Sequence, residues 1–245
     1  MKILLISGWG LGTQVLNEFV QQLEQQSEQQ HQVIVWDIFD PNNTELLVEK
    51  VHAAADMDVL IGWSLGGQLV LLLANELYQQ TQETKPVITC MSNPCFVAQE
   101  DWPNAMPQEQ YQQFKQTVMS QPEQALQRFC ALVTLGSLAP RERAKYLQQQ
   151  LVNIDLSYQQ AHLYLLEQLN LVNILNSYPG KILIINSKKD MLVPCKVLQD
   201  IALISASNLK FIKILAAHDA ILFDTSLVIE PILQFLQDIH SVKIS

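Results

Sequence analysis

Six short runs of apolar, largely β-branched residues recur along the chain: Lys2–Ser7, Gln32–Ile38, Asp58–Trp63, Val87–Ser92, Lys181–Ser187 and Leu209–Ala216. They are continuous rather than alternating, the pattern of strands covered on both faces of a parallel sheet. Segments of helical period separate most of them, at about 13–30, 44–55, 65–80, 195–206 and 226–240. Regular alternation of strand and helix predicts an α/β fold with a mostly parallel, doubly wound sheet. One interval departs from the rhythm. Between Ser92 and Lys181 no strand-like run occurs. The interval opens on a proline-rich loop through Pro94, Pro103 and Pro107, and helical patterns follow near 108–119, 122–135, 139–150 and 157–176. Pro122 suits a helix start and Gly136 a helix end. The expectation is a single domain with a core of 1–93 and 179–245, and an inserted helical cap, a lid of four helices, at about 94–178.

The polar positions that interrupt the pattern carry the candidate chemistry. Six of the eight glycines fall in two clusters, Gly8, Gly10, Gly12 and Gly62, Gly66, Gly67, each between a strand-like run and a helical one. Ligands of open α/β sheets bind at that end of the strands. The second cluster frames a serine, in Gly62-Trp63-Ser64-Leu65-Gly66-Gly67. A serine on a sharp strand-to-helix turn needs small neighbours and projects its hydroxyl above the sheet, as a nucleophile does. A plain helix cap is the alternative for Ser64, but a cap does not require glycine on both sides.

A nucleophilic serine needs a base, and the base needs an orienting acid. His218 directly follows the last strand-like run and is the candidate base. His240 lies in the polar C-terminal tail, His162 in the cap, and His31 and His52 precede the serine. The acid is expected in the loop after the fifth strand, where Asp190 stands; Asp219 and Asp200 remain rivals. Two backbone N–H donors would hold a developing oxyanion. Leu65, which follows the serine, and Trp9, in the loop after the first strand, are placed to supply them.

Charge narrows the classes. The net charge is −9, and no long basic run occurs, which disfavours nucleic acid as a partner. The apolar start, Met1 to Ile6, runs at once into Ser7-Gly8-Trp9-Gly10; it is too short for a signal peptide or a membrane span and reads as a strand. Cys90, Cys95, Cys130 and Cys195 form no CxxC pair, so reduced thiols in a cytoplasmic protein are expected, with no metal and no cofactor.

Taken together, Ser7-Gly8-Trp9-Gly10, Gly62-Trp63-Ser64-Leu65-Gly66-Gly67, Ser92-Asn93-Pro94-Cys95-Phe96, Asp101-Trp102-Pro103, Arg128-Phe129 and Ala216-Ala217-His218 resemble the pimeloyl-[acyl-carrier protein] methyl ester esterases of biotin synthesis, carboxylesterases of α/β-hydrolase fold. The resemblance runs along nearly the whole chain. It implies Ser64, Asp190 and His218 as a catalytic triad, and Trp9 and Leu65 as the oxyanion hole. It places Trp9 and Phe129 on the acyl chain. It also implies an acyl carrier protein as partner, met by basic residues of the lid. The three arginines of the chain, Arg128, Arg141 and Arg143, all lie in the cap, joined by Lys145; residues 141 and 145 share a helix face. A local basic patch on an acidic protein suits an acidic partner. Three stretches depart from the family: Ser7 stands where a histidine is usual, Asp37-Ile38-Phe39-Asp40-Pro41 lacks a Pro-Gly-x-Gly loop, and Asp219-Ala220-Ile221 replaces Ala-Pro-Phe after the histidine. A monomer is expected. A generalist carboxylesterase or thioesterase would use the same triad without the cap arginines, and a non-catalytic ligand-binding scaffold would need neither.

Overall fold

The computed structural model describes residues 1–26, 31–194, 196–202 and 207–243. Six strands form one sheet: β1 (Lys2–Ile6), β2 (Gln32–Trp36), β3 (Val59–Trp63), β4 (Val87–Cys90), β5 (Ile182–Ser187) and β6 (Leu209–Ile214). Their order is β2-β1-β3-β4-β5-β6 and every pairing is parallel. In β3, β4 and β5 every residue is buried, and β1 is buried from its second residue on, while the edge strands β2 and β6 are mostly half-buried. Their continuous apolar sequence is therefore a consequence of helices on both faces.

The chain passes from β1 outward to β2, then returns across β1 to β3 and continues one way to β6. Right-handed crossovers therefore place the helix after β1 on the opposite face from those that follow. Accordingly α1 (Asn17–Gln25) packs on one face, and α2 (Thr44–Ala55) and α3 (Leu65–Thr81) pack together on the other. Between β4 and β5 lie helices only: α4 (Gln108–Ser120), α5 (Pro122–Thr134), α6 (Pro140–Gln150), α7 (Leu156–His162), α8 (Leu165–Gln168) and α9 (Val172–Ser177). Then follow α10 (Val197–Ala202), α11 (Ala220–Phe223) and α12 (Thr225–Lys243), which returns to pack on α1. Among the described residues no helix is long and apolar enough to cross a membrane.

The helix expected over 157–176 is three short ones, α7, α8 and α9. Asn170 breaks it. Its side chain accepts from the N–H of Val172, the first residue of α9, at 3.1 Å and donates to Gln99 Oε1 at 2.7 Å. Leu171 N donates to Pro94 O at 2.8 Å, so the chain here pairs with the loop after β4 instead of with its own preceding turn. A short polar side chain that offers the backbone another partner ends helices in this way. The fourth strand stops two residues early because Met91 takes a φ of +47°. Of the helix expected over 195–206, residues 195 and 203–206 lie outside the described residues, as do 27–30 of the helix expected over 13–30. Cys90, Cys95 and Cys130 are buried and free, and burial pushes the Cys90 thiol up to about 12; Cys195 lies outside the described residues.

Candidate active site

The winding reverses between β1 and β3, and the loops leaving these two strands open the crevice where α/β sheets hold ligands. Ser64 stands in that crevice, between the last residue of β3 and the first of α3, with φ +54° and ψ −123°. That conformation is outside the wells open to L-residues. Two glycines make it possible. A Cβ on Gly62 would lie 2.1 Å from Gly66 O, and one on Gly66 would lie 2.2 Å from Ile6 O. Both clashes are with backbone, which cannot swing aside. Gly66→Ala should therefore cost more than about 4 kcal/mol, the range of severe core disruption; a denaturant melt showing a loss under about 1 kcal/mol would contradict the packing described. The first glycine loop adjoins the serine, since a Cβ on Gly8 would meet Ser64 Cβ at 3.1 Å.

Asp190 lies in the loop after β5 and His218 in the loop after β6. His218 Nδ1 and Asp190 Oδ2 are 2.7 Å apart, and both side chains are almost fully buried. The other carboxylate oxygen, Oδ1, accepts from Leu192 N at 2.8 Å and Val193 N at 2.9 Å. The aspartate is thus fixed by its own loop before it meets the imidazole. On the far side of the ring, His218 Nε2 is buried and has no hydrogen-bond partner among the described residues. The bond from Ser64 Oγ to this nitrogen is not formed; such bonds often tighten only around a substrate. The Trp63 indole donates to His218 O at 3.1 Å, tying the histidine loop to the end of β3.

The rival groups go elsewhere. Asp200 Oδ1 accepts from Asn104 Nδ2 at 2.6 Å. His162 Nδ1 is 2.8 Å from Tyr158 O within α7. Asp219, next to His218, is wholly buried, and Arg143 Nη1 reaches its Oδ2 at 3.2 Å. Burial pushes the Asp219 carboxyl up to about 6, with Arg143 acting against the shift. The side chain of His240 lies outside the described residues.

Neither the Trp9 nor the Leu65 main-chain N–H is paired with an acceptor among the described residues. The loop bearing Trp9 is held by Gln159 on α7. Gly10 N donates to Gln159 Oε1 at 2.8 Å, and the Trp9 indole donates to Gln159 O at 2.8 Å. No sequence signal marks Gln159, one glutamine among many. A cavity of about 240 Å³ opens at Ser64, lined by Trp9, Phe96, Phe114, Phe129 and Met191 among others, and by no charged side chain. Trp9, Phe114 and Phe129 pack against one another with ring centroids 5.1 to 5.9 Å apart. Among the described residues no group of three or more His, Cys, Asp or Glu side chains could hold a metal.

The four basic residues singled out in this interval divide. Arg128, Arg141 and Lys145 are exposed. Arg143 is not part of an outward patch, and this corrects the expectation from sequence. Its side chain is 13% exposed and is engaged by Asp224 Oδ2 at 2.7 Å, Asp224 Oδ1 at 2.8 Å and Asp219. Positions 141 and 143 differ by about 200° around a helix, so one faces solvent when the other faces in.

No protein-family model matches the chain. It is 28% identical over 204 residues to the pimeloyl-[acyl-carrier protein] methyl ester esterase of Klebsiella pneumoniae subsp. pneumoniae, across 80% of this chain and 77% of that one. To the protein of the same name from Stenotrophomonas maltophilia it is 31% identical over 206 residues, across 80% and 78%. Among solved structures, an esterase of Exiguobacterium antarcticum superposes with a TM-score of 0.79 at 13% identity, over 97% of this chain and 92% of that one. That likeness shows the α/β-hydrolase fold. Identity of 31% sustained over more than three quarters of a relative, on a fold that closes around one strained serine, shows that the chain belongs to the pimeloyl-[acyl-carrier protein] methyl ester esterase family, carboxylic ester hydrolases of the α/β-hydrolase fold.

Proposed function

We propose that the chain is a serine carboxylesterase that removes the methyl ester from pimeloyl-[acyl-carrier protein] in biotin synthesis. The observation that carries the chemistry is the His218–Asp190 pair, 2.7 Å apart, whose outer nitrogen is buried and has no partner among the described residues, on a chain that holds Ser64 in a strained turn at the end of β3. In this reading Ser64 Oγ attacks the ester carbonyl while His218 Nε2 takes its proton. Asp190 holds the Nδ1–H tautomer and stabilises the imidazolium. The carbonyl oxygen becomes an oxyanion, received by the N–H groups of Trp9 and Leu65. When the tetrahedral intermediate collapses, His218 returns the proton to the departing oxygen and methanol leaves. Water, activated by the same histidine, then attacks the acyl-enzyme; the free carboxylate departs and Ser64 regains its proton. No step calls for a metal or an organic cofactor.

The apolar cavity along Trp9 and Phe129 suits the neutral methylene chain. Residues 94–178 act as a lid over a single domain. Arg128, Arg141 and Lys145 face outward from the lid, and a local cationic patch on a chain of net charge −9 suits docking of an acidic carrier protein. The protein acts as a cytoplasmic monomer in this reading, with no nucleic acid or membrane partner.

The test is hydrolysis of pimeloyl methyl ester on acyl carrier protein against a free short-chain ester. A kcat/KM at least about tenfold higher for the carrier-linked ester, the effect of about 1.4 kcal/mol of docking energy, supports the assignment. Hydrolysis of the free ester alone leaves a generalist carboxylesterase. The double variant Arg141→Glu/Lys145→Glu should lower the ratio of carrier-linked to free-ester kcat/KM by roughly tenfold or more, mostly through KM, and the loss should shrink in high salt because rim charges are screened. A ratio that stays at the wild-type value would place the carrier elsewhere.

A further inference from the structure

Arg143 belongs to the lid, yet its charge is spent on the loop that carries His218. Nη1 and Nη2 grip the Asp224 carboxylate at 2.7 and 2.8 Å, and Nη1 also meets Asp219 Oδ2 at 3.2 Å. The guanidinium lies over Phe223, 5.0 Å from the ring centroid. Asp219 precedes α11 and Asp224 follows it, so one side chain ties α6 to both ends of α11. The two carboxylates are not equivalent. The Asp224 side chain keeps 19% of its surface in contact with solvent, whereas Asp219 keeps none and its Oδ1 has no partner among the described residues. Asp219 is also the chain neighbour of His218, whose own carbonyl is held from the core side by Trp63. The loop that carries His218 is therefore held at two points, at the His218 carbonyl by the Trp63 indole and at the Asp219 side chain by Arg143.

We infer that Arg143 is a positioning residue for the catalytic histidine, fastening the His218 loop to lid helix α6 and balancing the buried Asp219 carboxylate, and is not a contact for the carrier protein. This rests on the assignment of Ser64 and His218 above. Its physical content is an asymmetry. Removing one partner of a buried ion pair strands a charge and is costly, while removing both partners is often close to neutral. Without Arg143, Asp219 must either stay charged with no cation or take up a proton, and both disturb the loop that orients the imidazole. Removing Asp219 as well takes the problem away, and Asp224 still has water.

The experiment compares wild type, Arg143→Met and Arg143→Met/Asp219→Ala on p-nitrophenyl butyrate, with active sites titrated by a fluorophosphonate probe on Ser64. No carrier is present, so docking plays no part. Turnover per titrated site should fall at least about tenfold in Arg143→Met, with KM within about twofold, and the double variant should return to within about threefold of wild type. A merely structural contact would lower the number of titratable sites and leave the turnover of each unchanged. Wild-type turnover per site in Arg143→Met, or a double variant no better than the single one, overturns the inference. If Arg143→Met does not fold, Arg143→Lys serves in its place. It keeps the charge but loses the two-pronged grip, and it should show a partial loss per site that Asp219→Ala relieves; an undiminished turnover again overturns the inference. A wild type that neither labels nor hydrolyses overturns the serine-hydrolase reading itself, an outcome distinct from labelled wild type with an indifferent Arg143.

Discussion

Ser64→Ala should lower kcat for ester hydrolysis by about 10⁴–10⁶-fold, the range seen when the nucleophile of such a machine is removed. KM or Kd for the acyl substrate should hardly change, because the cavity walls and the main-chain donors stay in place. The same position makes a second, independent statement about stability. Ser64 sits at φ +54°, and alanine is as strained there as serine. Glycine is not. Ser64→Gly should therefore be as inactive as Ser64→Ala but more stable, by roughly 1–2 kcal/mol if most of the strain is released. Paired thermal melts decide it. A glycine variant no more stable than the alanine one would mean that the turn stores no strain, and residual activity above about 1% in either would remove Ser64 as nucleophile.

Asp190→Asn should cost about 10³–10⁴-fold in kcat with little change in KM. The reason is one of protons. In the proposed mechanism the carboxylate accepts from His218 Nδ1–H and so leaves Nε2 free to act as base. An asparagine offers an N–H toward Nδ1 and favours the tautomer with Nε2 already protonated. Asp219→Asn should cost less than about tenfold, since Arg143 keeps its stronger, two-pronged bond to Asp224. The comparison of the two variants on a free ester separates the candidate acids. If Asp219→Asn proved the more damaging, the orienting role would pass to the residue beside the histidine, and the 2.7 Å contact of Asp190 would be a structural one.

Much of this was legible along the chain because the forces behind it are local. A strand buried on both faces is apolar at most positions, so β1, β3, β4 and β5 stand out as nearly continuous runs. The serine turn needs small residues within four positions of one another, and the pattern Gly62-Trp63-Ser64-Leu65-Gly66 states that requirement directly. The order of serine, aspartate and histidine follows from the order in which parallel strands deliver their loops to one end of the sheet. Helices α4, α5 and α6 also lie close to where the apolar period and Pro122 placed them. The long helix over 157–176 did not; at its break before α9 the competitor for its backbone groups, the loop after β4, lies more than seventy residues away in sequence.

What the sequence determined by itself was the alternation of strand and helix, the strained turn at Ser64 and the short set of groups able to serve it. Only the tertiary structure decided which of those groups meet. Asp190 lies 28 positions from His218 and bonds its ring at 2.7 Å, whereas Asp219 adjoins it in the chain and bonds Arg143 instead. Adjacent side chains leave the backbone in different directions, so chain proximity says little about contact. The same holds on α6. Arg141 and Arg143 are two residues apart and indistinguishable by type, yet the turn of the helix sends one to solvent and the other to two buried or half-buried carboxylates. Local steric demands are written in neighbouring residues; the partner of a charge is set by how the elements pack, and no short stretch of sequence contains that information.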